Sequence, residues 1–285
     1  MEKTYDIPKF LSYFNGEQPK NHHIHFTKYE DCQSMRLQSQ PISIDFYLLA
    51  IKCGYDKSLD IGQTTYDIAD SYIYFCQPQK TLEWQITQPL SGYHILLDTK
   101  IFKRFAQEYS FLHYKNHEAL FLNKEEETEL LDLFQKAYNL YSKNNFSQDV
   151  LLSYASLILS YTNSFYKRQF ETRKNIYNKV VSDFYKDLEN YYDLKNESKL
   201  PSVQYFANKA NLTTNYFGDL IRHFTDKSPQ KHINTFLAHI AKDRLRKTSH
   251  SISEIAYALG FESPSYFTRF FKKETGITPS VFRQQ

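Results

Sequence analysis

Two groups of side chains in this chain have types and spacing that could do chemistry. The first is Ser265, Thr268, Arg269, Lys272 and Lys273. At helical spacing these fall on one side, and Phe267, Phe270 and Phe271 fall on the other. A guanidinium offers two parallel N–H donors to a flat pair of acceptors, and ammonium groups neutralise anionic oxygens. Such a face suits acceptor-rich edges lying beside a line of negative charge. The second group is His23-x-His25, with His22 beside it and Glu30 after it. Imidazoles with a carboxylate are a donor set for a divalent cation. The competing reading is a polar approach to the first strand. No second ligand motif follows, and Tyr93-His94 stands alone, so no metal ligand is assigned. Nor is there a Ser/His/Asp context, a glycine-rich phosphate loop or a paired-carboxylate site, so no catalytic residue and no cofactor are assigned.

The elements that must carry the first group occur twice between residues 199 and 285. One copy has Val203, Phe206, Ala207, Leu212, Tyr216, Phe217, Leu220, Ile221, Arg222, Ser228 and Pro229. The other has Ile252, Ile255, Ala256, Phe261, Tyr266, Phe267, Phe270, Phe271, Lys272, Thr278 and Pro279. Each predicts a short amphipathic helix, a tight turn and a second helix, the helix-turn-helix grammar of DNA recognition. Gly260 and Asn211 stand where the turn needs a positive φ. Thr213 or Thr214 caps one second helix; Ser263 followed by Pro264 starts the other. Asp226 and Gly276 are placed to end them. Pro229 opens a longer helix to about residue 247 that joins the copies. Tyr216, Phe217, Phe267, Phe270 and Phe271 are read as core.

The string Ile252-Ser253-Glu254-Ile255-Ala256-x-x-x-Gly260-Phe261-x-Ser263-x-Ser265-Tyr266-Phe267-x-Arg269-x-Phe271-Lys272-Lys273-x-x-Gly276-x-x-Pro279-x-x-x-Arg283 closely resembles the signature of the AraC/XylS family of bacterial transcription regulators. The first copy departs from it at Asn211 and Asp226, and Leu237 stands where the family has arginine. The resemblance implies a sequence-specific regulator, here taken as an activator, with recognition helices in successive major grooves of double-stranded DNA about 34 Å apart. It puts Asn215, Gly218, Asp219, Thr268 and Arg269 at base-reading positions, and Ser265 joins them by lying off the aromatic stripe. Arg269 against a guanine would discriminate by about 1–3 kcal/mol. Gly218 has no side chain to reach a base, and Asp219 would repel phosphate, so the second copy is expected to dominate, or Asn215 and Arg222 in the first. Arg222, His223, Lys272, Lys273 and Arg283 are expected on phosphates. RNA polymerase is a further partner of such a regulator.

Charge and length frame the rest. The chain has 285 residues, enough for two modest domains. From residue 199 onward there are 13 Lys and Arg against 6 Asp and Glu, a surplus of +7; the whole chain carries +3, so the remainder carries −4. A basic tail on an acidic partner domain fits nucleic-acid binding. Three scattered cysteines, Cys32, Cys53 and Cys76, give no CxxC pair and point to a reducing compartment. With no membrane span or signal core evident, a cytoplasmic location is expected.

Strand-like runs at 42–53, 65–68, 71–76, 82–86 and 93–97 predict a β domain over 1–124. By analogy with similar regulators it is a cupin-like barrel that senses a small-molecule effector. Residues 125–172 predict a helical hairpin, with stripes Leu130, Phe134, Ala137 and Tyr141, then Leu151, Tyr154, Ile158, Tyr161 and Phe165. The second stripe is the expected homodimer contact. The expected fold class is therefore α+β with two domains: a cupin-like barrel with a helical dimerisation segment, and an all-α domain over 173–285 with helix-turn-helix units at about 200–224 and 252–275. Two other readings stay open: a metal- or sugar-binding cupin enzyme module tethered to DNA, and a dimeric regulator with no ligand.

Overall fold

A computed structural model describes residues 4–32, 34–54, 71–86, 90–106, 109–192 and 199–284. The chain divides into two compact units, Met1–Arg173 and Lys174–Gln285. The first is β-rich with helices and the second is all-helical.

In the first unit the chain runs β1 (Thr4–Tyr5), α1 (Ile7–Phe14), β2 (Ile24–Lys28), β3 (Ile42–Ile44), β4 (Phe46–Cys53), β5 (Ser71–Cys76), β6 (Thr81–Leu82), β7 (Ser91–Asp98), α2 (Thr99–Ala106), β8 (Leu120–Phe121), α3 (Lys124–Tyr141) and α4 (Gln148–Thr172). Five strands form an antiparallel sheet in the order β2-β7-β4-β5-β8, and three form a second, β1-β3-β6. Among the described residues no closed barrel is formed. The expected strand at 42–53 is two strands in different sheets, because the chain bends at Asp45, whose N–H donates to the Tyr5 carbonyl at 3.0 Å. The run at 82–86 supplies only the end of β6 and a lone bridge between Gln85 and Gln38. The run at 65–68 lies outside the described residues.

Cross-strand register divides the large sheet into two faces. One carries Leu48, Ala50 and Lys52 beside Leu96, His94 and Gly92 and beside Cys76, Tyr74 and Tyr72. Its apolar members join a core with Phe10, Phe14, Ile44 and Leu82. The opposite face carries Leu49 and Ile51 with Ile95 and Ile73, all buried. On the edge of the sheet, Gln169 of α4 accepts from the Phe121 N–H at 2.8 Å and donates to the Ala119 carbonyl at 3.0 Å, so its buried amide satisfies β8 backbone. Arg168 pairs with the buried Glu126 of α3, holding the hairpin together.

The second unit runs α5 (Lys174–Glu189), α6 (Val203–Lys209), α7 (Thr214–Thr225), α8 (Pro229–Lys247), α9 (Ile252–Ala258), α10 (Pro264–Thr275) and α11 (Pro279–Gln284). Phe184 of α5 meets Phe206 and Phe217 edge-on at 5.1 and 5.5 Å. Phe261 meets Phe267 at 5.2 Å, and Phe271 meets Phe282 at 5.5 Å. α8 packs on α5, α7, α9, α10 and α11 and so ties two small cores into one. Leu237, in its middle, is buried.

Candidate nucleic-acid interface

Both helix pairs are set by short polar signals. The Ser202 hydroxyl caps α6 and the Thr213 hydroxyl caps α7, accepting from Tyr205 and Tyr216 N–H. Ser251 and Glu254 form a reciprocal capping box at the start of α9, and Ser263 with Pro264 starts α10. The turns match in backbone: Asn211 has φ 55° and Gly260 φ 85°, followed by Leu212 N–H to Ala207 C=O at 2.9 Å and Phe261 N–H to Ala256 C=O at 3.0 Å. Asp226 at φ 57° and Gly276 at φ 86° end α7 and α10. Short polar side chains tolerate that region and glycine is indifferent to it.

The second turn is one residue longer. Leu212 is followed directly by the cap Thr213, whereas Glu262 separates Phe261 from the cap Ser263. Counted from their caps, Tyr216 and Tyr266 hold the same helical position, yet Tyr216 is 1% exposed and Tyr266 is 48% exposed. The difference is α5: the hydroxyl of its Tyr177 meets that of Tyr216 at 2.5 Å, so Tyr216 is covered.

On α7, Phe217, Leu220 and Ile221 are buried, while Asn215, Gly218, Asp219 and His223 are half-buried and Arg222 is exposed. A side chain added at Gly218 would meet nothing within 4 Å, so this glycine leaves a bare spot on the outer face. The Asp219 carboxylate accepts from Arg222 Nη1 at 3.3 Å, which ties two of the candidate DNA contacts to each other. The His223 ring stands edge-on to Phe224 at 4.9 Å.

α10 is different. Phe267 and Phe271 are buried, and Phe270 is half-buried against Phe261. Ser265, Arg269, Lys272 and Lys273 are exposed, and among the described residues the three cations make no ion pair. Thr268 donates its hydroxyl back to the Pro264 carbonyl at 2.9 Å, leaving its methyl and oxygen lone pair as the surface it offers. Glu274, on the inner side of α10, accepts from Lys231 at 2.7 Å and Asn234 at 3.3 Å. The hydrogen bond from Lys231 holds the Glu274 carboxyl below the usual carboxylate range, and α10 is fastened to α8.

Arg283, on α11, is half-buried, with Nε and Nη2 buried and unpartnered among the described residues. Beside it, Arg246 and Lys242 lie over the Phe282 ring at 4.7 and 5.9 Å. The sequence reading missed this second basic group. Its only signal was the four-residue spacing of Lys242 and Arg246 on one helix. The outer sides of α7 and α10 thus carry donors suited to groove edges and phosphates, concentrated on α10.

The histidines lie elsewhere. His25 sits inside β2 rather than before the first strand, and its two ring nitrogens meet the hydroxyls of Tyr141 and Thr27, each at 2.9 Å. Burial pushes its pKa down to about 4. His22 is exposed, and His23 Nδ1 lies 3.6 Å from Asp98. Glu30 accepts from the Ser91 hydroxyl and Gly92 N–H. His23, His25 and Glu30 do not converge, and among the described residues no cluster of His, Cys, Asp and Glu could hold a metal.

Of the expected dimer stripe on α4, Leu151 and Ile158 are fully buried within their own unit and have no surface for a second copy. Tyr154, Tyr161 and Phe165 are half-buried. The stripe that packs inward is Leu151, Ala155, Ile158, Thr162, Tyr166 and Gln169, so the outward side is rotated from the expected one and carries Val150 and Leu157, 44% and 43% exposed. No helix among the described residues is long and apolar enough to cross a membrane.

The family model described as a helix-turn-helix domain matches residues 206–285. The transcriptional activator RhaR of Yersinia pseudotuberculosis (strain YPIII) is 31% identical over 106 residues, 37% of this chain and 33% of the relative. The uncharacterised transcriptional regulator YobQ of Bacillus subtilis is 35% identical over 68 residues, 24% of this chain and 28% of the relative. The match therefore spans about a third of these relatives' own length. Among solved structures, the C-terminal domain of AraT, a response regulator from Geobacillus stearothermophilus, is 23% identical and covers 37% of this chain and 84% of that one, with a TM-score of 0.33.

Proposed function

We propose that this chain, whose residues 206–285 match a helix-turn-helix domain and whose carboxy-terminal part is similar to AraC/XylS-type regulators, is a sequence-specific regulator of transcription that binds double-stranded DNA through α7 and α10. The observation that carries the reading is the repeated helix-turn-helix pair fixed along α8, with cations on the outer side of α10 that make no ion pair among the described residues. The two helices enter successive major grooves about 34 Å apart. Arg269, Thr268 and Ser265 read bases, with Asn215, Gly218 and Asp219 at the matching places on α7. Lys272, Lys273, Arg222, His223 and Arg283 bind phosphates. Asp219 and Arg222 spend part of their charge on each other, which supports α10 as the stronger reader.

The relatives are regulators, and a role in activation, with RNA polymerase as a partner and the cytoplasm as location, follows from that likeness. The amino-terminal unit serves as a cupin-like effector sensor and dimerisation module. Two sheets sharing one apolar core support the first role. The exposed Val150 and Leu157 on α4 support a homodimer formed on that side.

The test is Arg269→Ala on an operator selected from random DNA. Specific affinity should fall by about 5- to 150-fold, the equivalent of 1–3 kcal/mol, while affinity for unrelated duplex stays near its starting value. Equal losses on both would remove Arg269 from base reading. Failure of the wild-type chain to enrich any sequence would overturn the proposal itself.

A further inference from the structure

Tyr266 holds on α10 the place that Tyr216 holds on α7, but the two are covered differently. Tyr216 is buried, with its hydroxyl against that of Tyr177. Tyr266 is 48% exposed. A single exposed aromatic residue is ordinary on a protein surface; what carries information is where this one stands. Its backbone N–H donates to the hydroxyl of the cap Ser263 at 3.2 Å, which fixes it in the first turn of α10. Its ring leans edge-on against Phe261, with centroids 5.7 Å apart. Phe261 is itself buried and held by Phe267 and Phe270. The ring is thus supported by the core on one side and exposed on the other.

The buried Phe267 and Phe271 define the inner side of α10, and at about 100° per residue Arg269 lies opposite them. Ser265, Thr268 and Lys272 fall to one side of Arg269. Tyr266 and Lys273 fall to the other, within about 20° of each other and about two turns apart. An α-helix with its side chains is about 10–12 Å across, and the major groove is about 12 Å wide. A helix seated there fills the groove. Its outermost line then faces base edges, and its flanks face the sugar-phosphate walls. Tyr266 and Lys273 therefore lie along one wall. The bases of a duplex are stacked on each other and offer this ring no face. A phenol hydroxyl is, however, among the donors that phosphate oxygens accept from.

We propose that the Tyr266 hydroxyl donates a hydrogen bond to a DNA phosphate on the groove wall that Lys273 also faces, and so sets how α10 is seated in the groove. This deepens the DNA-binding reading above and rests on it. The ring has only two side-chain torsions and already leans on Phe261, so little freedom is lost when the hydroxyl is engaged. The donor is neutral, which gives it a signature different from that of the cations. A lysine that neutralises a phosphate releases a counterion, and its loss makes the slope of log affinity against log salt shallower by about 1. Loss of a neutral donor weakens binding and leaves that slope as it was. The buried Tyr216 has no such role, so the contact belongs to the second unit alone.

The experiment measures the affinity of the full chain for an operator selected from random DNA, across salt concentrations, with Tyr266→Phe and Lys273→Gln side by side. Tyr266→Phe keeps the ring against Phe261 and should leave the melting temperature unchanged. It should weaken binding about tenfold at every salt concentration. The loss should be the same on operators carrying single base-pair changes. Lys273→Gln should instead flatten the salt slope by about 1. Methylphosphonate placed at each phosphate of the α10 half-element in turn locates the acceptor. At one position the difference between the wild type and Tyr266→Phe should shrink to about twofold or less, because the two changes remove the same contact. Undiminished affinity of Tyr266→Phe overturns the contact. A changed base preference, a flattened salt slope or a lowered melting temperature in that variant overturns the phosphate role, as does a difference that no methylphosphonate reduces. In each of these cases the wild type still binds its operator, whereas a wild type that selects no sequence removes the DNA-binding reading itself.

Discussion

Gly260 and Gly276 have the same backbone conformation, with φ of 85° and 86°, but different surroundings, and that pairing allows a controlled test. A Cβ at Gly276 would meet nothing within 4 Å. Gly276→Ala should therefore cost only the left-handed backbone term, about 1–2 kcal/mol. A Cβ at Gly260 would lie 2.5 Å from the Lys199 carbonyl carbon, 2.6 Å from the Leu200 nitrogen and 2.8 Å from the Lys199 Cα. These are backbone atoms and cannot rotate aside. Gly260→Ala should add an overpacking term of about 1–3 kcal/mol, for a total of about 2–5 kcal/mol. The extra loss should lower the melting temperature of the helical unit by several degrees relative to Gly276→Ala. Far-UV circular dichroism follows the helices. Fluorescence of Trp84, the single tryptophan, follows the first unit and should be indifferent to both substitutions. Equal losses in the two variants would refute the claim that the 199–200 backbone presses on Gly260.

Three further outcomes are expected. Asp219→Asn frees Arg222 and removes a carboxylate from α7, so affinity for unrelated duplex should rise, and the slope of log affinity against log salt should steepen by about 1; filter binding across salt concentrations checks this. Leu151→Ala should cost the first unit about 2–5 kcal/mol in urea unfolding without changing oligomeric state, whereas Leu157→Asp should shift sedimentation toward monomer and leave stability nearly intact. His25 is protonated in the unfolded chain below the usual histidine pKa but in the folded chain only near 4. Stability should thus fall as pH drops from about 6.5 to 4, by up to about 3 kcal/mol from this group; His25→Gln should flatten that part of the profile in Trp84-monitored unfolding.

The helical unit was legible because its boundaries rest on local rules. Positive φ at Asn211 and Asp226, the cap at Thr213, and Ser263 with Pro264 follow from side chains acting on their own backbone. What needed distant partners was not legible. Nothing local distinguishes Tyr216 from Tyr266; the distinction comes from α5. The inward face of α4 was hidden because Thr162 and Gln169 are polar yet buried, satisfied by the Ile158 carbonyl and by β8. Counting aromatic residues instead rotated the stripe. The break at Asp45 left no mark in an unbroken strand-forming run. Among candidate DNA contacts, the sequence offered Asp219 as an anomaly, and the pair with Arg222 accounts for its charge.

Under the proposed reading of DNA by α7 and α10, the helix α8 limits how binding sites can vary. It is 19 residues long, about 28 Å at the α-helical rise, and is fastened to α10 through Glu274. Substitutions on α7 or α10 can change which bases are preferred, but none of them can change the phase between the two half-elements. A single residue inserted into α8 would swing one reader by about 100° around the other. Operators with a base pair added between the half-elements are thus met only by twisting or bending the duplex, a cost set by the DNA rather than by the protein.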